Sequence, residues 1–233
     1  MSIYRSPLEI RACIDLVDNA DLLGALNENV SLPLNYVAQS RGLPYSSYWE
    51  LYKTNFWFHI KLKDESLILF EEDSFRFIMS PISIPTHEDF IAYDLGDDWD
   101  HFNAEEKENY LTSEYFKHSY HSYIETTSDF KSHTPVRLDQ HPNQYKPLSH
   151  PAHHLHIGYE NESRIPVKRV LTPQAFTAFI ISTFYPKNWE KLHTLGFINL
   201  ENICRYKSSL STISHINQGL WDIDWEENRL YLG

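Results

Sequence analysis

The chain has 233 residues, of which 42% are hydrophobic and 15% aromatic, and its formal net charge is −12. This composition excludes an intrinsically disordered chain, and the length is sufficient for a substantial core in one large domain or in a main domain with a small N-terminal attachment. The acidic balance argues against a general binder of nucleic acid or anionic membranes, because such partners are usually met by a net basic surface.

The charges are unevenly distributed along the chain. From Asp64 to Glu114 there are fifteen acidic residues and two basic ones, and we expect residues 94–108 to form a solvated loop or a partner-facing patch. From Lys131 to Arg169 there are six Lys or Arg residues, three acidic residues and six histidines. The second segment is therefore a locally basic island in an acidic protein.

The two cysteines, Cys13 and Cys204, are too few for a disulfide framework or a zinc–thiolate site. No charged-then-apolar leader opens the chain, and no apolar run approaches the ~18 residues that cross a bilayer. We therefore expect a cytoplasmic protein without a membrane partner.

Residues 1–54 are predicted to form a helical N-terminal arm. Pro7 suits the first turn of a helix, and apolar residues at mostly helical spacing predict a helix over residues 7–26, although Gly24 weakens its second part. Pro33, Gly42 and Pro44 leave room for at most one short helix among them.

Residues 55–233 are predicted to form an α+β domain. Apolar runs at 56–62, 67–70 and 74–79 are separated by acidic segments of turn length, which predicts a three-stranded antiparallel meander. The Tyr- and His-rich segment 115–126 is interpreted as another strand.

The second half of this domain predicts helices followed by a hairpin. Thr172 and Pro173 form a strong helix start, the aromatic stripe that follows indicates a buried helix face, and Pro186 ends that helix. A short helix is predicted over residues 189–195 and a closing hairpin over residues 221–232. The predicted fold is α+β, with an antiparallel sheet and flanking helices.

A cluster of residue types that are typical of a functional site lies between Pro135 and Tyr159. Arg137 and Asp139 are followed, after a proline-bearing loop, by His150, His154 and His156. If both ends of this stretch are strands, alternation places Arg137 with Asp139 and His154 with His156 on shared faces. An antiparallel pair would then gather a cation, a carboxylate and imidazoles on one surface.

These residue types suit metal-independent cleavage of RNA, whose 2′-hydroxyl is a built-in nucleophile. Arg137 can hold the phosphate through its planar fork, and Asp139 can orient an imidazole or Arg137. His154 and His156 would be the acid and base, since the pKa of histidine lies near neutrality. In this interpretation no cofactor is required.

Two other interpretations stay open. His154 and His156, completed by His150 or Asp139, can hold zinc, iron or manganese, which would polarise a water molecule for hydrolysis. Alternatively, Arg137 and Asp139 are a structural ion pair and the histidines belong to a loop shaped by its prolines. Dense clusters of this kind on loops favour function over structure alone.

At these residues the chain resembles a bacterial family designated domain of unknown function 2290. The resemblance covers roughly the C-terminal half and implies no established activity. The segments that carry it are Arg137-x-Asp139, His150-Pro151-x-x-His154-Leu155-His156-Ile157-Gly158, Arg164-x-Pro166 and residues 179–189 with Phe184-Tyr185-Pro186.

More locally, Arg137-x-Asp139 with His154-x-His156 is similar to the core of TumE-type toxins of bacterial toxin–antitoxin pairs, with a longer loop after Asp139 here. This resemblance implies an inhibitory effector acting on RNA in a defence or toxin–antitoxin setting, with an antitoxin or another protein as its partner. The alternative hypothesis is a non-catalytic subunit of a defence complex, which binds a basic partner protein through the acidic surface of residues 64–114.

Overall fold

The computed structural model describes residues 7–160 and 162–227. Contacts divide the chain into two units, and the division falls inside the predicted α+β domain. The larger unit takes the chain up to Ser80 and again from His133, and the smaller unit is Pro81–Ser132. Within the described residues, the predicted N-terminal arm contributes three helices and one strand to the larger unit.

The strands are short and every pairing among them is antiparallel. They are β1 (Leu23–Leu26), β2 (Ile60–Leu62), β3 (Leu67–Phe70), β4 (Ser74–Ile78), β5 (Ile82–Ser83), β6 (Asp129–Phe130), β7 (Val136–Gln140), β8 (His153–Ile157) and β9 (Ile165–Pro166). Seven of them form one sheet in the order β1-β2-β3-β4-β7-β8-β9, and β5 pairs with β6. The predicted antiparallel sheet and the meander β2-β3-β4 are confirmed.

The helices flank these sheets, which confirms the α+β class. They are α1 (Pro7–Asn19), α2 (Tyr36–Ser40), α3 (Tyr45–Thr54), α4 (His87–Asp94), α5 (Ala104–Thr112), α6 (Glu114–Thr127), α7 (Pro173–Phe184), α8 (Pro186–Thr194), α9 (Leu200–Ser209) and α10 (Ile223–Glu226). Three short 3-10 helices occupy Gly96–His101, Pro142–Gln144 and Ser214–Gln218.

The first helix is shorter than its apolar pattern predicts. It ends at Asn19, a turn with positive φ at Asp21 follows, and Leu23–Leu26 pairs with β2 as an edge strand. A Cβ atom at Gly24 would lie 2.8 Å from the backbone oxygen of Leu62. Glycine therefore permits the close approach of β1 to β2, and the prediction of helix to residue 26 was wrong.

The main core lies between one face of the large sheet and helices α1 and α7. Phe75 and Phe77 on β4 meet Phe176 and Phe184 on α7, with ring centroids 5.8 and 5.2 Å apart. The predicted helix start is confirmed, since the hydroxyl of Thr172 accepts a hydrogen bond from the backbone of the first turn. Burying this face leaves the opposite face of the same strands for polar groups.

The smaller unit contains α4, α5, α6 and the β5–β6 pair around its own aromatic cluster, and it corrects one prediction. Residues 115–126 are helical, not a strand, because the side chain of Ser113 caps α6 and Phe116 packs at helical spacing with Tyr120. Phe116 joins Phe90 in the buried centre of this unit.

The C-terminal prediction was also wrong for residues 221–227. Asp222 accepts hydrogen bonds from the backbone N–H groups of Asp224 and Trp225, and this side-chain cap begins α10 in place of the expected strand. The second half of the predicted hairpin, from residue 229 onward, lies outside the described residues.

Each helix in the described ranges is too short or too polar to span a bilayer.

Candidate active site

The polar cluster is created by the register of the three central strands. Arg137 faces His156 and Asp139 faces His154 across the β7–β8 pair, as the alternation predicts. On the other side, β4 places Ser74 opposite Asp139 and Arg76 opposite Arg137. Side chains that are directly opposite share a face, so all six groups lie on the sheet face that does not contact α7.

Asp139 is a buried carboxylate that is held at both oxygens. Its Oδ1 atom accepts a hydrogen bond from Ser74 Oγ at 3.0 Å, and its Oδ2 atom lies 2.9 Å from Arg137 Nε and 3.3 Å from His156 Nε2. Burial alone raises the pKa of Asp139, but the hydrogen bond from His156 and the positive charges of Arg137 and Arg76 hold this pKa well below its usual range. The group is therefore an anion.

His154 is fully buried behind His156 and is neutral. Burial, with a further effect from the charge of His156, lowers the pKa of His154 to about 3. Its Nδ1 atom lies 2.7 Å from the carbonyl oxygen of Pro151, which can only accept, so Nδ1 carries the hydrogen. The lone pair of its Nε2 atom consequently points at His156 Nε2, 3.0 Å away.

His150 is adjacent to this cluster but not part of its centre. Its ring centroid lies 4.9 Å from that of His154, in an edge-to-face arrangement. Burial, followed by the nearby charge of Arg164, lowers the pKa of His150. The three donor atoms that converge within 4.8 Å of one another belong to Asp139, His154 and His156.

A cavity of about 230 Å³ opens beside the cluster and is lined by Arg137 and His156. Its other walls come from α2, α3 and β4, and include Arg41, Tyr48 and Arg76. Fully buried His154 is not among the lining residues. Of the five predicted site residues, Arg137 and His156 therefore line the cavity, while Asp139 and His154 support them from below.

The cavity wall is fixed by contacts between segments far apart in sequence. The hydroxyl of Tyr159 donates to the carbonyl of Leu43 at 2.8 Å, and Gly42 N–H donates to Glu160 at 3.1 Å. These bonds attach the segment after β8 to the turn between α2 and α3. The position of Arg41 in the wall is thus coupled to the strand that carries His156.

The guanidinium groups in the wall are held from one side. Arg137 is engaged by Asp139 and Arg76 by Glu71, in both cases at Nε, and Glu71 also accepts from Tyr36. Because the Arg137 side chain is 41% exposed, its terminal amino groups remain able to donate to an anion in the cavity. The carboxylates offset much of the positive charge, so directed donors, more than net charge, make the cavity suited to an oxyanion.

Sequence reasoning missed Arg41, Tyr48 and Arg76 as parts of the site. The signal for Arg76 was its place in the alternating segment Ser74–Ile78, where Phe75 and Phe77 take the core face and leave Arg76 on the opposite one. Arg41 follows a five-residue helix whose packing no local pattern indicates.

A family model described as "Uncharacterized conserved protein (DUF2290)" matches residues 25–225. Comparison with curated proteins gave no match, and neither did comparison with solved structures.

Proposed function

Because the chain belongs to the family of uncharacterized conserved proteins DUF2290, whose description names no reaction, we propose a function from the cavity itself. We propose that the protein is an RNA-cleaving effector that binds the scissile phosphate among Arg137, Arg76 and Arg41. The observation that carries this proposal is the cavity in which guanidinium donors and His156 line a common wall above the buried anion Asp139.

The size of the cavity supports a polymeric substrate. Pockets that enclose a whole small molecule usually have volumes of roughly 300–1,000 Å³, and this cavity is smaller, at about 230 Å³. A phosphate and part of one nucleotide would occupy it while the rest of the strand runs along the surface. The surrounding segment 131–169, rich in basic residues and histidine, is the place where such a strand meets the least repulsion from an acidic chain.

The proposed chemistry is transfer of the phosphoryl group to the neighbouring 2′-oxygen. The 2′-oxygen bonds to phosphorus as its proton is removed, the bond to the 5′-oxygen breaks, and a solvent water molecule donates a proton to that leaving oxygen. Arginine donors stabilise the charge that develops on the phosphoryl oxygens. His156 is the imidazole in position to take the proton of the 2′-hydroxyl. A metal ion, if held by His156 with Asp139 and His154, would supply Lewis-acid activation at this wall.

The proposal also concerns the biological system in which the protein acts. We propose a cytoplasmic effector of a bacterial defence or toxin–antitoxin system, in which a protein partner or antitoxin restrains RNA cleavage. The local resemblance of Arg137-x-Asp139 and His154-x-His156 to TumE-type toxins supports this setting.

The test is cleavage of end-labelled RNA by the purified full-length chain, with Arg137→Gln as the diagnostic variant. Loss of one donor to the developing charge is expected to lower the rate roughly 100-fold. Arg205→Gln is the matched control, since Arg205 is an exposed arginine on α9 that pairs with Glu201. Products should carry a 2′,3′-cyclic phosphate, and one 2′-deoxynucleotide at the cleavage position should block the reaction. Cleavage that is equal in both variants would refute the proposed site.

A second candidate function is that of a non-catalytic subunit, and one observation favours it. The compact unit Pro81–Ser132 carries twelve acidic residues against three lysines, a surface suited to a basic partner protein. The double variant His154→Ala/His156→Ala separates the two candidates, provided that circular dichroism shows a native fold. An RNA-cleaving effector loses cleavage and growth inhibition, whereas a binding subunit keeps its partner and its phenotype.

A further inference from the structure

Three atoms that could bind a metal ion, Asp139 Oδ2, His154 Nε2 and His156 Nε2, converge at the base of the cavity. Neither Asp139 Oδ2 nor His154 Nε2 carries a hydrogen. His154 Nε2 presents a lone pair because the hydrogen of this ring is on Nδ1, bound to Pro151. Asp139 Oδ2 is a carboxylate oxygen and accepts only. Without a cation, the single hydrogen that His156 Nε2 can offer would have to serve both acceptors, at 3.0 and 3.3 Å.

Two of the three separations among these atoms match those of ligands around one metal ion. Two donors that are each ~2.0–2.1 Å from a tetrahedral zinc ion lie about 3.3 Å apart. The observed separations are 3.0 Å between the two Nε2 atoms and 3.3 Å from His156 Nε2 to Asp139 Oδ2, and all three donor atoms lie within 4.8 Å of one another. A direct imidazole–imidazole hydrogen bond explains one of these two short distances. A shared cation explains both, and the third pair of atoms needs to lie no more than about 4.2 Å apart when each is ~2.1 Å from the ion.

The groups behind the ligands also follow the pattern of metal sites. Histidine ligands generally donate their second ring N–H to a backbone carbonyl or a carboxylate, and ligating carboxylates are themselves hydrogen-bonded. His154 donates to Pro151 O, and Asp139 accepts from Ser74 at its other oxygen. The site is also preorganised by burial, since the three ligating residues are at most 6% exposed.

We propose that Asp139, His154 and His156 bind one divalent transition-metal ion of the zinc class, with an open coordination position toward the cavity. Two imidazoles and a carboxylate form a donor set used by catalytic zinc and by iron, whereas a site for magnesium or calcium would use oxygen donors. The bound ion would polarise a water molecule or a phosphoryl oxygen at the wall where Arg137 holds the substrate. The inference does not depend on the substrate being RNA.

The test measures metal binding by the full-length chain, purified through a tag without histidine. Zinc is supplied in competition with a chromogenic chelator, and cobalt is used separately as a spectroscopic probe. The expected result is about one zinc ion per chain and a cobalt spectrum of a low-symmetry nitrogen–oxygen site. His156→Ala and Asp139→Asn should weaken zinc binding at least about 100-fold, and Ser74→Ala, which alters only a supporting hydrogen bond, roughly 10-fold.

The matched control is His118→Ala, which removes an exposed imidazole on α6 and should leave zinc binding unchanged. The conservative variants Asp139→Asn and Ser74→Ala keep the test valid if His156→Ala fails to fold. Failure of wild-type protein to compete for zinc, or equal zinc binding by Ser74→Ala, Asp139→Asn and His118→Ala, would overturn the inference. RNA cleavage by a wild-type protein that does not bind zinc would refute the metal site alone, and stoichiometric zinc without RNA cleavage would refute the proposed function alone.

Discussion

Replacing Asp139 with asparagine tests whether this carboxylate anchors the site. The change preserves the side-chain shape but removes the negative charge that Arg137 and His156 face at 2.9 and 3.3 Å. The amide oxygen of asparagine can still accept from these two groups while its NH2 donates to Ser74, but both donors lose their counter-charge in a site that is 5% exposed. Hydrogen bonds to charged groups contribute roughly 1.5–3 kcal/mol each, and the one from partly exposed Arg137 should lie at the low end.

The expected loss for Asp139→Asn is therefore about 3–5 kcal/mol in the free energy of unfolding, in the range found when one partner of a buried ion pair is removed. Domains of this kind are stable by roughly 5–15 kcal/mol, so the variant should still fold at 25 °C. The assay is urea denaturation followed by circular dichroism, with a chelator present so that metal binding does not add to the stability of the wild type.

The control is Asp21→Asn, which removes a carboxylate that pairs with Lys63 and Lys191. Hydrogen bonds from Lys191 and then Lys63 lower the pKa of Asp21 to about 2, but its side chain is 53% exposed, so solvent screens the pairs and the cost should be below about 1 kcal/mol. Because this pKa is depressed on folding, the small contribution is present above about pH 4 and is lost as the pH falls toward 2. Equal losses in Asp139→Asn and Asp21→Asn would refute the reasoning.

Three further predictions follow from local features. One thiol per chain should react rapidly with an alkylating reagent in the folded protein, because Cys204 is exposed whereas burial raises the pKa of Cys13 to about 12; rapid labelling that persists in Cys204→Ser would contradict this. Gly24→Ala should lower the free energy of unfolding by about 1–3 kcal/mol, since the new methyl group would meet Leu62 O at 2.8 Å; an unchanged urea midpoint would show that β1 shifts freely. Thr172→Ala should cost about 1 kcal/mol through loss of the cap of α7, whereas Thr172→Ser should cost less; equal costs would argue against the cap.

The part of the site that follows strand alternation was predictable. Arg137 with Asp139, and His154 with His156, stand two residues apart, and a period of two places each pair on one face. Their convergence required only that the two segments pair with each other, which the proline-bearing loop between them made the simplest arrangement. The sequence did not show that His154 would be sealed behind His156 and so removed from direct contact with a substrate.

Two of the wrong predictions came from segments whose residue pattern conflicts with a local cap. The segment after Ser113 is rich in tyrosine, which favours strands, but the serine cap and the packing of Phe116 at helical spacing make it α6. Trp221 and Trp225 alternate with acidic residues like a strand, yet Asp222 caps a helical turn. In both places a side-chain cap at the start of the segment favours a helix over the strand that the following pattern predicts.

Arg41 and Arg76 illustrate what local patterns leave out. Arg76 reaches the cavity because β4 pairs with β7 across more than fifty intervening residues, and Arg41 because the turn after α2 is tied to Glu160. Both placements depend on contacts between distant segments, which no spacing within either segment encodes.

The bond from His154 to the carbonyl of Pro151 gives the loop before β8 a chemical role. By accepting the Nδ1 hydrogen, this carbonyl selects one tautomer of the imidazole and so decides that the opposite nitrogen offers electrons to the cluster. A remodelled loop that turned the carbonyl away would free the hydrogen to move to the other nitrogen. Substitutions in this loop could thereby remove the lone pair that His154 offers to the cluster, while every side chain of the cluster stayed in place.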